Sequence, residues 1–205
     1  MDIEVTYIPG VYCSIDIGSR HFAIRVERCQ EKGYPYCEMF ELVDLAGHGE
    51  TINMMTQKLT QYFTSRAYVL SQVTCLVVEE QRLIKNQITN ATRNMRLMQH
   101  VFSYFQLMYP TVPHIELPPH IKTARFTGAP GKLDREARKE WAVTEAMRLF
   151  TERGDTESMK TFEACKKIDD LADTVIQLRA YHMWKNLNFH ASETKPKAKI
   201  RGSAQ

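Results

Sequence analysis

A chain of 205 residues, 43% of them hydrophobic, with a mean hydropathy of -0.38, has the size and balance of one α/β domain able to bury a core. Its formal net charge of +3 is too mild to single out nucleic acid as a partner. No stretch reaches the roughly 20 apolar residues that a bilayer span needs, and MDIEVTYIPG lacks a cationic region followed by an apolar core, so a soluble intracellular protein is expected. The cysteines Cys13, Cys29, Cys37, Cys75 and Cys165 are odd in number and widely spaced, which argues against a disulfide framework. None belongs to a CxxC pair or stands at ligand spacing from a histidine, which argues against zinc.

In chain order, VYCSIDI (11–17) reads as a buried strand ending at Gly18. Two β-rich runs, 21–29 and 37–45, follow across a turn containing Lys32, Gly33 and Pro35, which predicts an antiparallel meander. Thr51 to about Arg66 has helical spacing, and VTCLVV (73–78) is a continuous apolar strand that stops at Glu79-Glu80-Gln81. Ile88, Ala91, Met95, Met98, Phe102 and Phe105 then recur every three or four residues, predicting a helix over 87–109 that Pro110 ends. A short strand is expected over His114 to Leu117. An irregular basic loop or arm follows, then a helix from Asp134 to about Phe150 and a last helix from Asp169 to about Leu187. The layout gives one domain over 1–187 and a Lys-rich tail over 188–205, which is expected to be disordered. No internal repeat is visible.

The charge distribution says more than the sum. Lys122, Arg125, Lys132, Arg135, Arg138 and Lys139 face only Asp134 and Glu136 between Pro118 and Lys139, which predicts a one-sided positive surface. Acidic residues meanwhile stand where elements end. Asp16 lies inside the first strand, where an acid costs several kcal/mol unless it is paired or binds a cation. Glu79 follows VTCLVV directly. Asp170 and Asp173 are three residues apart and share one face at the start of the last helix. Converging carboxylates repel, and hard divalent cations with oxygen ligands relieve that repulsion, so Mg²⁺ is the expected cofactor. Two such ions suit in-line displacement at a phosphodiester. Each acid also has a plain structural use: Asp16 as a strand-end turn residue, Asp169 as the helix N-cap, Asp170 and Asp173 as complements to the helix dipole.

SIDIG, the strand end VVEEQ and the helix start KKIDDLAD, in this order, resemble the RuvC-like branch of the RNase H-like superfamily. The motifs are most similar to poxvirus-type Holliday junction resolvases. The resemblance implies a central mixed five-stranded sheet flanked by helices. It implies a catalytic and metal-binding set of Asp16, Glu79, Asp170 and Asp173, with two Mg²⁺ per site and Mn²⁺ as a substitute. Spacing to Gln81 selects Glu79, whereas a directly adjoining Glu-Gln pair would select Glu80. Lys166 and Lys167 are implied as phosphate contacts, and Arg82, Lys85, Lys122, Arg125, Lys132 and Arg135 complete the expected DNA-binding set. Phe126 is placed either as a wedge that stacks in an opened junction or as a buried anchor. The implied activity is paired nicking of four-way or branched DNA by a homodimer during viral replication and recombination, in the host cytoplasm. The helix stripe from Ile88 to Phe105 is the expected dimer contact. Rival readings are a nuclease acting on RNA:DNA hybrid or flap DNA, a junction-binding module without catalysis, and an actin-like sugar kinase. The last needs a second glycine-rich loop that the chain lacks.

Overall fold

The computed structural model describes residues 5–18, 20–47, 49–81, 88–122 and 133–193. Five strands, β1 (Gly10–Ile17), β2 (His21–Cys29), β3 (Tyr36–Asp44), β4 (Cys75–Glu79) and β5 (His114–Leu117), form one sheet in the order β3-β2-β1-β4-β5. β1 pairs antiparallel with β2 and parallel with β4, and β5 adds parallel to β4. The mixed sheet flanked by helices is therefore as the sequence led one to expect.

Strand alternation sorts the side chains of β1 onto two faces. Val11, Cys13, Ile15 and Ile17 join a core with Met55, Leu59 and Phe63 of helix α1 (Ile52–Ser65) and Leu97, Met98, Val101, Tyr104 and Phe105 of helix α3 (Ile88–Met108). The short helix α2 (Ala67–Leu70) closes that side. Tyr12, Ser14 and Asp16 take the opposite parity, and Tyr12 packs with Leu178 and Tyr181 of helix α6 (Ile168–Glu193). Helix α4 (Arg135–Arg153) and helix α5 (Thr156–Ala164) cover the remaining part of that face through Ala142, Ala146, Phe150 and Phe162. A one-residue slip of β1 would exchange Asp16 for Ile15 in the apolar layer, so its register is strongly fixed.

Gly18 has a packing reason. Its amide donates to the His21 carbonyl at 3.0 Å, and a Cβ there would stand 2.5 Å from the same oxygen. The glycine after Asp16 thus closes the β1–β2 hairpin, an alternative to phosphate binding for that part of SIDIG.

Three expectations are corrected. Asp169 does not cap the last helix: α6 begins at Ile168, and the Asp169 carboxylate instead pairs with Lys139 at 2.8 Å. α6 also continues past Leu187 to Glu193, since no glycine or proline interrupts the chain before Pro196. The stripe on α3 does not form one surface. Met98 and Phe105 are core, whereas Ile88 is exposed, because the buried face runs through Leu97, Val101 and Tyr104 as well. Among the described residues, no helix is long and apolar enough to cross a membrane.

Candidate active site

Strand β1 delivers Asp16 one residue before its end, and the parallel neighbour β4 delivers Glu79 as its last residue. Two parallel strands side by side bring their carboxyl ends to the same edge of the sheet, where chemistry is commonly built in α/β folds. α6 crosses that edge with its first turns, so Asp170 and Asp173 arrive from above. All four acids line one cleft of about 290 Å³, together with Pro119, Lys122, Arg135, Arg138, Lys139, Trp141, Ala142 and Ile176. Glu80, described but not among those lining residues, donates its amide to the Leu117 carbonyl at 3.0 Å.

The electrostatics are lopsided. Burial raises the Asp16 carboxyl well above the usual carboxylate range, Asp173, Glu79 and Asp170 push it further up, and Lys122 pulls against them. Asp170 is raised as well, first by burial and then by Asp169, against His21 and Lys167. The ammonium of Lys122, with only 5% of its side chain exposed, donates to Glu79 Oε2 at 3.0 Å and lies 3.5 Å from Asp173 Oδ1. Burial would drive its proton off, but Asp173, Glu79 and Asp16 outweigh burial and hold it charged.

α6 is fastened to the strands that carry the acids by Gln177, one turn beyond Asp173. Its buried side-chain amide donates to the Val77 carbonyl at 2.8 Å and to the Ile15 carbonyl at 3.2 Å. Gln81 donates to the Glu79 carbonyl at 3.2 Å and accepts from Asn94 of α3 at 3.5 Å, which ties the end of β4 to that helix.

Of the expected DNA-binding residues, Arg135 is exposed on the rim of the cleft, and Arg138 and Lys139 line the same rim. Lys166 and Lys167 are exposed just before α6, where Lys167 adds to the lowering of Asp169 and opposes the rise of Asp170. Lys122 sits inside the carboxylate cluster rather than on an outer surface. Arg82, Lys85, Arg125, Lys132 and Phe126 lie outside the described residues. The sequence reading passed over Gln177, Trp141 and the placement of Lys122. Gln177 carried a signal, as a polar residue in the apolar run VIQLRAY with Asp173 four positions before it.

The chemistry of the donor set fits a hard divalent cation: four oxygen donors lie in one half-open cleft, facing one ammonium. Among the described residues, no three His, Cys, Asp or Glu side chains stand close enough to share one ion.

The sheet order, the parallel β1–β4 pair and the helices on both faces are those of an RNase H-like fold of the RuvC kind. Thermus thermophilus RuvC in complex with a Holliday junction substrate superposes with a TM-score of 0.64 at 14% identity, over 87% of this chain and 96% of that one. The yeast mitochondrial Holliday junction resolvase Ydc2 gives a TM-score of 0.60 at 12% identity, over 92% of this chain and 86% of that one. In sequence, the uncharacterized protein 170L of invertebrate iridescent virus 6 is 24% identical over 82% of this chain and 87% of its own length. The uncharacterized protein 97L of invertebrate iridescent virus 3 is 29% identical over 48% of this chain, a match that spans less than half, 46%, of that relative. No protein-family model matches the chain.

Proposed function

We propose that this chain is a metal-dependent Holliday junction resolving endonuclease, of the kind found in poxviruses and other large DNA viruses. The observation that carries the reading is the cleft in which Asp16, Glu79, Asp170 and Asp173 converge beneath a basic rim, on a fold shared with two junction resolvases. Asp16 and Glu79 from the sheet, and Asp170 and Asp173 from α6, would hold two Mg²⁺, with Mn²⁺ as a substitute. Bound there, the cations would supply water activation and stabilisation of the leaving oxygen in phosphodiester hydrolysis.

The residues of the chain supply the rest. Arg135 and Arg138 on the rim attract the phosphate backbone, and Lys166 and Lys167 extend the positive track along the start of α6. Such contacts fix the register of the duplex without reading its sequence, which suits recognition of a branched shape. Trp141 forms part of the apolar wall against which the reacting strand is oriented. Lys139 pairs with Asp169 at 2.8 Å, which occupies that carboxylate beside Asp170. Paired nicks across a four-way junction require two sites, and we assign them to a homodimer acting at viral replication sites in the host cytoplasm.

The test is incubation with a labelled synthetic four-way junction, with Mg²⁺ or with EDTA, beside D170N. Symmetric paired nicks are expected only with metal and only in the wild type. Junction binding without cutting would leave a binding module in place of an enzyme. Faster cutting of an RNA:DNA hybrid or a flap than of the junction would keep the chemistry and change the substrate.

A further inference from the structure

Lys122 is held where it is by design of the local chain. Ile121, next to it, is buried among Leu117, Leu178 and Tyr181, and its amide bonds to the Pro118 carbonyl at 2.9 Å. That anchored turn points the lysine into the cleft, where its ammonium bridges a strand-borne acid, Glu79, and a helix-borne acid, Asp173. An ammonium takes carboxylate oxygens at about 2.7–2.9 Å, whereas Mg²⁺ takes them at about 2.0–2.1 Å. The observed 3.0 and 3.5 Å contacts therefore hold Glu79 and Asp173 further apart than one small cation would.

We infer that Lys122 is a built-in counter-cation that stands in the place of a divalent ion between Glu79 and Asp173, and that metal enters this site by displacing it. The inference rests on the reading of Asp16, Glu79, Asp170 and Asp173 as the metal site. In the metal-free protein the lysine offsets acid–acid repulsion and keeps the fold intact. Once metal binds, two positive groups compete for the same oxygens, and the ammonium is repelled toward the open side of the cleft. Arg135 and Arg138 line that cleft as well. The lysine thus sets a threshold concentration of metal for loading.

The experiment uses the 205-residue chain and Mn²⁺, with binding followed by calorimetry and by the electron paramagnetic resonance signal of the free ion. K122M is expected to bind Mn²⁺ at least about tenfold more tightly than the wild type, since a unit charge is removed at contact distance. K122R, which keeps the charge, is expected to stay close to wild type. Because K122M could fold poorly, a second readout uses the wild type alone: acylation of lysine amines mapped by mass spectrometry. Lys122 is expected to be protected without metal and to label several-fold faster once Mn²⁺ is saturating. Equal Mn²⁺ affinity in wild type and K122M, or unchanged Lys122 labelling while Mn²⁺ is bound, would overturn the inference and leave the metal site standing. No difference in Mn²⁺ binding between wild type and a D16N/D173N double variant would instead overturn the metal-site reading beneath it.

Discussion

The side-chain amide of Gln177 donates to the backbone carbonyl of Val77 at 2.8 Å, and its second hydrogen reaches Ile15. Those carbonyls lie two residues before Glu79 and one before Asp16, and the glutamine itself lies one turn after Asp173. A single side chain thus ties together the three elements that carry the four acids. Replacing it by methionine keeps the volume and removes both bonds, leaving two buried acceptors each short of one donor. Q177M should lose about 2–3 kcal/mol in urea unfolding. In a junction cleavage assay its kcat should fall several-fold while KM holds, because the acids shift and the basic rim does not. A fall in KM alone would contradict this role.

Asp16 should be a residue whose removal stabilises the protein. Burial and three neighbouring acids raise its carboxyl, so near neutral pH the ionised form is a net cost to the fold. D16N removes that cost and leaves Lys122 bonded to Glu79. The variant should gain about 1 kcal/mol in EDTA while losing cleavage, the trade expected of a site built for function. A loss of stability in D16N would show that Asp16 is well paired without metal.

His182 gives a pH dependence with a definite sign. It is buried, accepts from the Ile8 amide at 3.4 Å and meets Cys29 Sγ at 3.6 Å, and burial lowers its pKa to about 4. Between about 4 and the ordinary 6.5, the unfolded chain takes up a proton that the folded chain refuses. Stability from this group is therefore complete above about pH 6.5 and is lost as pH falls toward 4, by about 3 kcal/mol at most. Urea midpoints at about pH 7.5 and about pH 5 should differ more in wild type than in H182Q.

Arg25 should be costly to remove, although nothing in HFAIRVERC marks it as buried. Its guanidinium is fully enclosed and bonds Glu27 at 2.6 Å, Asp155 at 2.9 Å and Ser158 at 2.9 Å. It also lies 4.6 Å from the centroid of the Phe40 ring. R25M strands Glu27 and Asp155 with fewer partners, and about 3–5 kcal/mol should be lost. K160M, which breaks an exposed pair with Glu157, should leave the unfolding midpoint unchanged.

The frame was legible because its signals are local. Apolar runs of five to nine residues bounded by Gly18, Pro35 and Glu79 mark β1 to β4, and Asp134 caps α4 through a bond to the Ala137 amide at 2.9 Å. The convergence of the acids could be anticipated because each lies at an element end. What the sequence hid depends on distance along the chain. Lys122 read as one more member of a basic segment, since nothing local distinguishes a cation turned toward carboxylates from one turned toward water. α5 escaped because TESMKTFEA buries only Ser158 and Phe162, too few to set a period. Arg25 and Arg153 share Glu27 from positions 126 residues apart in the chain for Arg153, a partnership that no window reveals.

The acids also arrive in an order that matters to a growing chain. Asp16 is made early, Glu79 midway, and Asp170 and Asp173 only after all five strands and five helices have been synthesised. Until α6 docks, with Gln177 on Ile15 and Val77 across 162 and 100 residues, the cleft has no roof and half its acids are missing. The emerging polypeptide thus lacks an assembled carboxylate cleft until α6 is in place. The cleft is completed in one late event rather than by degrees.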